Sequence, residues 1–92
     1  MSSVAIDKRD HVWLLHRPRF ISAEQSAHRA PPVLEFDATG KFVQGWGGPG
    51  AGYKWPENEH GIFVDHKDNV WVTGNGHVAL KFTRAGKFLL QI

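Results

Sequence analysis

Val4-Ala5-Ile6-Asp7-Lys8-Arg9-Asp10-His11-Val12-Trp13-Leu14 and Ile62-Phe63-Val64-Asp65-His66-Lys67-Asp68-Asn69-Val70-Trp71-Val72 are two copies of one pattern. The match continues downstream. Val33-Leu34-Glu35-Phe36-Asp37-Ala38-Thr39-Gly40-Lys41-Phe42-Val43 lies over Ala79-Leu80-Lys81-Phe82-Thr83-Arg84-Ala85-Gly86-Lys87-Phe88-Leu89. The offset is 58 positions in the first stretch (4 to 62) and 46 in the second (33 to 79), so the first copy carries 12 additional residues, around 18–32. A repeat of this length is the mark of an architecture built from stacked units.

Each copy reads as four strands. The first is 4–7 or 62–65, the second 12–15 or 70–73, the third 33–36 or 78–82, and the fourth 42–45 or 88–91. Valine, isoleucine and aromatic residues favour strands at these positions. The turn 8–10, or 66–68, ends in an aspartate able to bond its own backbone. In the turns 38–41 and 84–87 a glycine stands where a positive φ is expected. Glycine or proline interrupts every apolar stretch except 21–30, where Ser22 as a cap and Glu24-Gln25 behind it suit one helical turn.

Four short strands repeated at this spacing point to an all-β fold, two four-stranded antiparallel blades of a β-propeller forming part of a ring. The expected division is a first blade over 1–46 with an insertion at 18–32, an inter-blade loop over 47–59, and a second blade over 60–92. Val12-Trp13-Leu14-Leu15 and Val70-Trp71-Val72 are apolar on both faces, as in strands covered from both sides. Trp13 and Trp71 are each expected between blades, contributing about 2–3 kcal/mol.

The totals set limits. At 92 residues the chain makes one small domain with a thin core. It has no cysteine, which excludes disulfides and thiolate metal sites. A net charge of +2 is too small for a dedicated nucleic-acid binder. No apolar run is long enough to span a bilayer, so no membrane span is expected. Residues 1–9 hold no signal-peptide stretch, an expectation compatible with a secreted or periplasmic parent.

His60-Gly61-Ile62-Phe63-Val64-Asp65, followed by Asp68-Asn69-Val70-Trp71-Val72, Leu80-Lys81-Phe82-Thr83 and Gly86-Lys87-Phe88, resembles an NHL repeat. Within that family the nearest likeness is to the six-bladed propellers of the peptidyl-hydroxyglycine amidating lyase type. The resemblance covers nearly the whole chain and implies fold far more strongly than function. Two blades do not close a ring. Either further blades of a longer parent chain complete it, which is the preferred expectation, or copies associate, and three would supply six blades.

Alternating strand direction puts the start of strand one, the end of strand two, the start of strand three and the end of strand four on one rim. That rim collects the long loops, where function concentrates. It is expected to bind a small molecule or peptide through His16, His28, Trp46, Tyr53, Trp55 and His77. The resemblance implies a metal-dependent lyase or hydrolase, with zinc or calcium as the cation and His60 as one zinc ligand. The matching position in the first copy is Ser2, which offers no such ligand. The lyase's catalytic arginine and tyrosine do not map onto this chain. The alternative is a non-enzymatic module binding protein or RNA through Arg17, Arg19, Arg29 and Lys54, although Glu24, Glu57 and Glu59 dilute that patch. Asp7 and Asp65 read as calcium ligands, carboxylate catalysts or, as preferred, acceptors for backbone amides in their turns. His11 and His66 are expected to be turn residues on the opposite rim.

Overall fold

The computed structural model describes residues 3–16, 31–48, 50, 52–56, 59–75 and 78–92. They form two four-stranded antiparallel sheets with no helix. The first sheet is β1 (Ser3–Ile6), β2 (Val12–Leu15), β3 (Val33–Phe36) and β4 (Phe42–Trp46); the second is β5 (Glu59–Val64), β6 (Val70–Gly74), β7 (Val78–Phe82) and β8 (Phe88–Gln91). In both, strand order follows chain order. The helical turn expected over 21–30 lies outside the described residues, as does most of the insertion.

One turn design closes four of the hairpins. In each, the first residue's carbonyl accepts from the fourth residue's N–H and its own N–H donates to the fifth residue's carbonyl; the pairs Asp10–Asp7, Asp68–Asp65, Gly40–Asp37 and Gly86–Thr83 mark the four. The fourth residue is left-handed: Asp10 at φ 60°, Asp68 at 63°, Gly40 and Gly86 at 89°. This is a three-residue hairpin loop with a bulge, which puts its one positive φ at that position. The first residue's side chain completes the turn. Asp7 Oδ1 accepts from the Arg9 and His11 amides, Asp65 Oδ1 from Lys67 and Asn69, and Asp37 Oδ1 from Thr39 and Lys41. The expected backbone-bonding aspartate is therefore the first of each turn; Asp10 and Asp68 supply the left-handed residue instead.

The two sheets bury opposite faces. In β2, Trp13 and Leu15 are buried and Val12 and Leu14 are only partly so; in β6, the equivalents of Val12 and Leu14, namely Val70 and Val72, are buried. The third strands repeat the contrast, with Val33 and Glu35 buried in β3 but Leu80 and Phe82 in β7. Because side chains alternate across a strand, the sheets stack head to tail, each offering the face the other turns away.

Within the chain this arrangement sets the two tryptophans apart. Trp13 lies in the seam with none of its surface exposed. Trp71, at the same blade position, lies on the open face of the second sheet, because that face has no neighbour within the described residues.

The seam is a wedge. Among the described residues the backbones come together where β5 meets β1 and β2. Farther out, large rings fill the gap. Phe82 sits 5.0 Å from Trp46, 5.3 Å from Tyr53 and 5.9 Å from Trp55, and Tyr53 stacks on Phe88 at 4.8 Å.

Gly40 and Gly86 share one φ but differ in surroundings. A Cβ on Gly40 meets nothing within 4 Å, whereas one on Gly86 falls 2.6 Å from the Trp46 ring. Gly40→Ala should therefore cost about 1–2 kcal/mol, the left-handed strain alone. Gly86→Ala should cost a further 1–3 kcal/mol or so from overpacking against Trp46. Urea unfolding of the two variants reads the difference.

Candidate functional site

The densest polar constellation lies inside the seam. The β7–β8 turn delivers Arg84 into the first sheet. Its Nη1 donates to Asp7 Oδ2 at 2.8 Å and its Nη2 to Glu35 Oε2 at 2.6 Å. The guanidinium lies 5.2 Å from the centre of the Trp13 ring. Its backbone is held as well, since the Arg84 carbonyl accepts from Gln44 Nε2 at 2.7 Å and from the Trp46 indole at 2.9 Å.

The first sheet builds the receptor from both ends. Asp7 directly follows β1, and its turn bonds fix Oδ1 and leave Oδ2 for the Trp13 indole, 2.9 Å away, and for Arg84. Glu35 is paired with Trp13 across the β2–β3 ladder and with Gln44 across the β3–β4 ladder, and it is buried. Its Oε1 accepts from Gln44 at 2.7 Å, while Oε2 lies 2.6 Å from His11 Nδ1. At the rim of the cluster Asp68 faces Arg84 Nη1 at 3.5 Å, and Lys8 and Arg9 at 3.6 and 3.5 Å.

Burial alone would raise the Asp7 carboxyl. The Trp13 indole, the Arg84 guanidinium and the His11 and Arg9 amides outweigh it and hold the group far below the usual carboxylate range. Burial likewise opposes, and hydrogen bonds from Asn69, Trp71 and Lys67 overcome, in Asp65, which is lowered too.

Asp7, His11 and Glu35 present ligand atoms within 4.8 Å of one another, a spacing that suits a metal ion. Each of the two carboxylates already gives one oxygen to Arg84. The guanidinium supplies the cation, and the chemistry of this cluster is that of a buried ion-pair lock.

The residues expected at the long-loop rim are placed as follows. Trp46 spans the seam to Arg84. Tyr53 is half-buried and its hydroxyl donates to the Gly48 carbonyl. Trp55 is buried, its indole donating to Glu59 at 2.8 Å. These three rings converge on Phe82 and pack the wedge. His16 is held by Pro31 and Pro32 carbonyls. Lys54 is exposed, with its amide on Gln91 Oε1. His28, His77, Arg17, Arg19 and Arg29 lie outside the described residues.

His60 falls within β5 rather than before it. Glu59 pairs with Gly74 and Gly61 with Thr73, so His60 is the extra residue of a bulge, and it is exposed. A catalytic zinc takes about three protein ligands, and His60 joins no group of three ligand-bearing side chains among the described residues.

Arg84 and Glu35 did not emerge as site residues from the sequence, and His11 emerged only as a turn residue. The signal lay in where the copies differ. Glu35 stands over Lys81 and Ala38 over Arg84, so charge changes at both positions together.

The chain matches no known family profile, no curated protein and no solved structure.

Two expectations follow. Arg84→Ala leaves two buried carboxylates without their cation and should destabilise the fold by about 3–5 kcal/mol. Arg84→Lys should recover only part, because an ammonium cannot bridge both oxygens in the plane of a guanidinium. Chemical denaturation measures both. The second concerns acid. Asp7 binds its proton less readily folded than unfolded, so its contribution is present above the unfolded value of about 4 and is lost as pH falls toward the depressed folded value. Urea midpoints should therefore drop below about pH 4, and Asp7→Asn should be less stable at neutral pH with a flatter acid limb.

Proposed function

We propose that this chain is an NHL-type propeller scaffold, a pair of blades that takes further blades on its open faces and presents its long-loop rim to a ligand. The observation that carries the reading is the head-to-tail wedge. Two units bury opposite faces and converge at their first strands. A self-propagating contact of this kind either closes into a ring or runs on as a filament, and convergence on one side favours the ring. Val4, Ile6 and Phe42 on one outer face, and Phe63, Leu90 and Ile92 in the second sheet, are exposed, as are Val43 and Leu89. Val4, Ile6 and Phe42 share their outer face with Val12, Leu14 and Phe36, and a contiguous apolar face of this kind marks an interaction surface.

His60 is the rim residue best suited to a ligand. A bulge turns a side chain out of its ladder, a device that recurs beside functional sites. The strand that carries it is the one on which the sheets converge. In a metal-dependent lyase or hydrolase of the kind the sequence resembles, this chain would contribute His60, and other blades the remaining ligands. The alternative is a binding module for protein or RNA without catalysis; with Trp46, Tyr53 and Trp55 packed into the wedge, exposed Lys54 is the described rim residue left to serve it.

Zinc titration followed by amide hydrogen exchange discriminates. Protection at 59–64 that His60→Ala abolishes supports the rim as a metal site. Protection at Asp7 and Glu35 instead, abolished by Glu35→Gln, overturns it. Oligonucleotide binding that weakens steeply with salt would favour the RNA module.

A further inference from the structure

The geometry points to a second copy of this chain as the occupant of the open face of the second sheet, docked head to tail through the outer face of its own first sheet. The inference rests on the propeller reading and adds to it the identity of the neighbour.

The two open faces are the two halves of a seam already formed. The outward groups of the second sheet, among them Trp71 and Lys81, occupy the blade positions of Trp13 and Glu35, which line the seam from the first sheet. The outward groups of the first sheet, Val12, Leu14, Leu34 and Phe36, occupy the positions of Val70, Val72, Leu80 and Phe82, which line it from the second. A second seam would repeat the sheet-on-sheet part of the first, with Leu90 and Ile92 at the positions of Gln44 and Trp46, without the loop rings Tyr53 and Trp55, and with a different set of polar residues at its centre.

Those residues select the partner. In the formed seam the neighbour brings a cation over the tryptophan, and the receiving strand answers with Glu35; Arg84 sits 5.2 Å from the Trp13 centroid. On the open face the receiving strand carries Lys81 instead, and its ammonium already lies 5.4 Å from the Trp71 centroid. Asp65, which corresponds to Asp7, is already held as a carboxylate against the burial that opposes it, by hydrogen bonds from Asn69, Trp71 and Lys67 and, after them, by the charge of Lys81. The cation is thus built into the receiving sheet. A neighbour that delivered another arginine at the turn would meet Lys81, and like charges brought together in a seam disfavour that pairing. A neighbour with a small uncharged residue there fits. The first sheet of this same chain has Ala38 at that position. The rim pair is conserved in kind as well. Where Arg9 faces Asp68 in the formed seam, Lys67 would face Asp10 of the second copy. A second sheet in that place, with Arg84 at its turn, is disfavoured by the same charges, so the order of sheets alternates around the assembly.

The test uses the chain as it is. Light scattering after size exclusion, over a dilution series, should give a closed oligomer with a fixed number of copies. Lys81→Glu sets a second carboxylate beside Asp65 and should raise the dissociation midpoint about tenfold or more. Adding Ala38→Arg to that variant recreates the Asp7–Glu35–Arg84 arrangement between copies and should return the midpoint to within a few-fold of the starting protein. A monomer at every concentration overturns the inference, and so does an oligomer indifferent to both substitutions. Arg84→Ala separates this failure from that of the underlying reading. A lowered unfolding midpoint in the monomeric state keeps the stacked blades even where the second copy is lost, whereas no effect of Arg84→Ala removes both.

Discussion

Asp7 and Glu35 are carboxylates that the first sheet holds out of water, and the cation between them belongs to the second sheet. Neither sheet is complete alone. A carboxylate buried without a partner is expensive enough that it would ordinarily take up a proton or open to solvent. Here five groups of the first sheet, the two carboxylates with Trp13, Gln44 and Trp46, grip one residue of the second through both its side chain and its carbonyl. The apolar wedge supplies the bulk of the attraction between the sheets. The arginine fixes how they sit, because its planar fork meets both oxygens in one orientation only.

That division of labour explains why the seam is polar at its heart. Aromatic rings on flat sheets tolerate sliding, and a sheet displaced by two residues would still bury apolar surface. The same displacement would pull Arg84 from Asp7 and Glu35. Burying an ion pair rarely adds much stability over well-packed hydrocarbon, but it penalises every alternative in which the charges part. Where similar sheets can stack on one another, a device that distinguishes one seam from another has a clear use. The exchange of Glu35 and Arg84 for Lys81 and Ala38 is such a device.

Much of this could be read from the residues. The repeat, the order of eight strands and the bounds of β2, β3, β7 and β8 follow from apolar runs punctuated by glycine and aspartate turns. So does the positive φ at Gly40 and Gly86. His60 was harder. Its place inside β5 depends on a bulge, and a bulge leaves no mark in an apolar pattern when one extra residue is absorbed into the strand. The burial of Trp46, Tyr53 and Trp55 was hidden for a related reason. A loop aromatic looks the same in sequence whether it faces a ligand or closes a gap.

Local chemistry in the sequence determined the blades: which residues pair, where the chain turns, and which side chains share a face, since these depend on alternation and on turn residues a few positions apart. The choice of face was decided in three dimensions. Both copies are apolar on both sides, so nothing local says that the first sheet buries Trp13 fully while the second leaves Trp71 only partly buried on its uncovered face. That follows from which neighbour stands on which side. Arg84 reaches Asp7 across 77 positions of chain, and only the stacking of the two sheets brings them together.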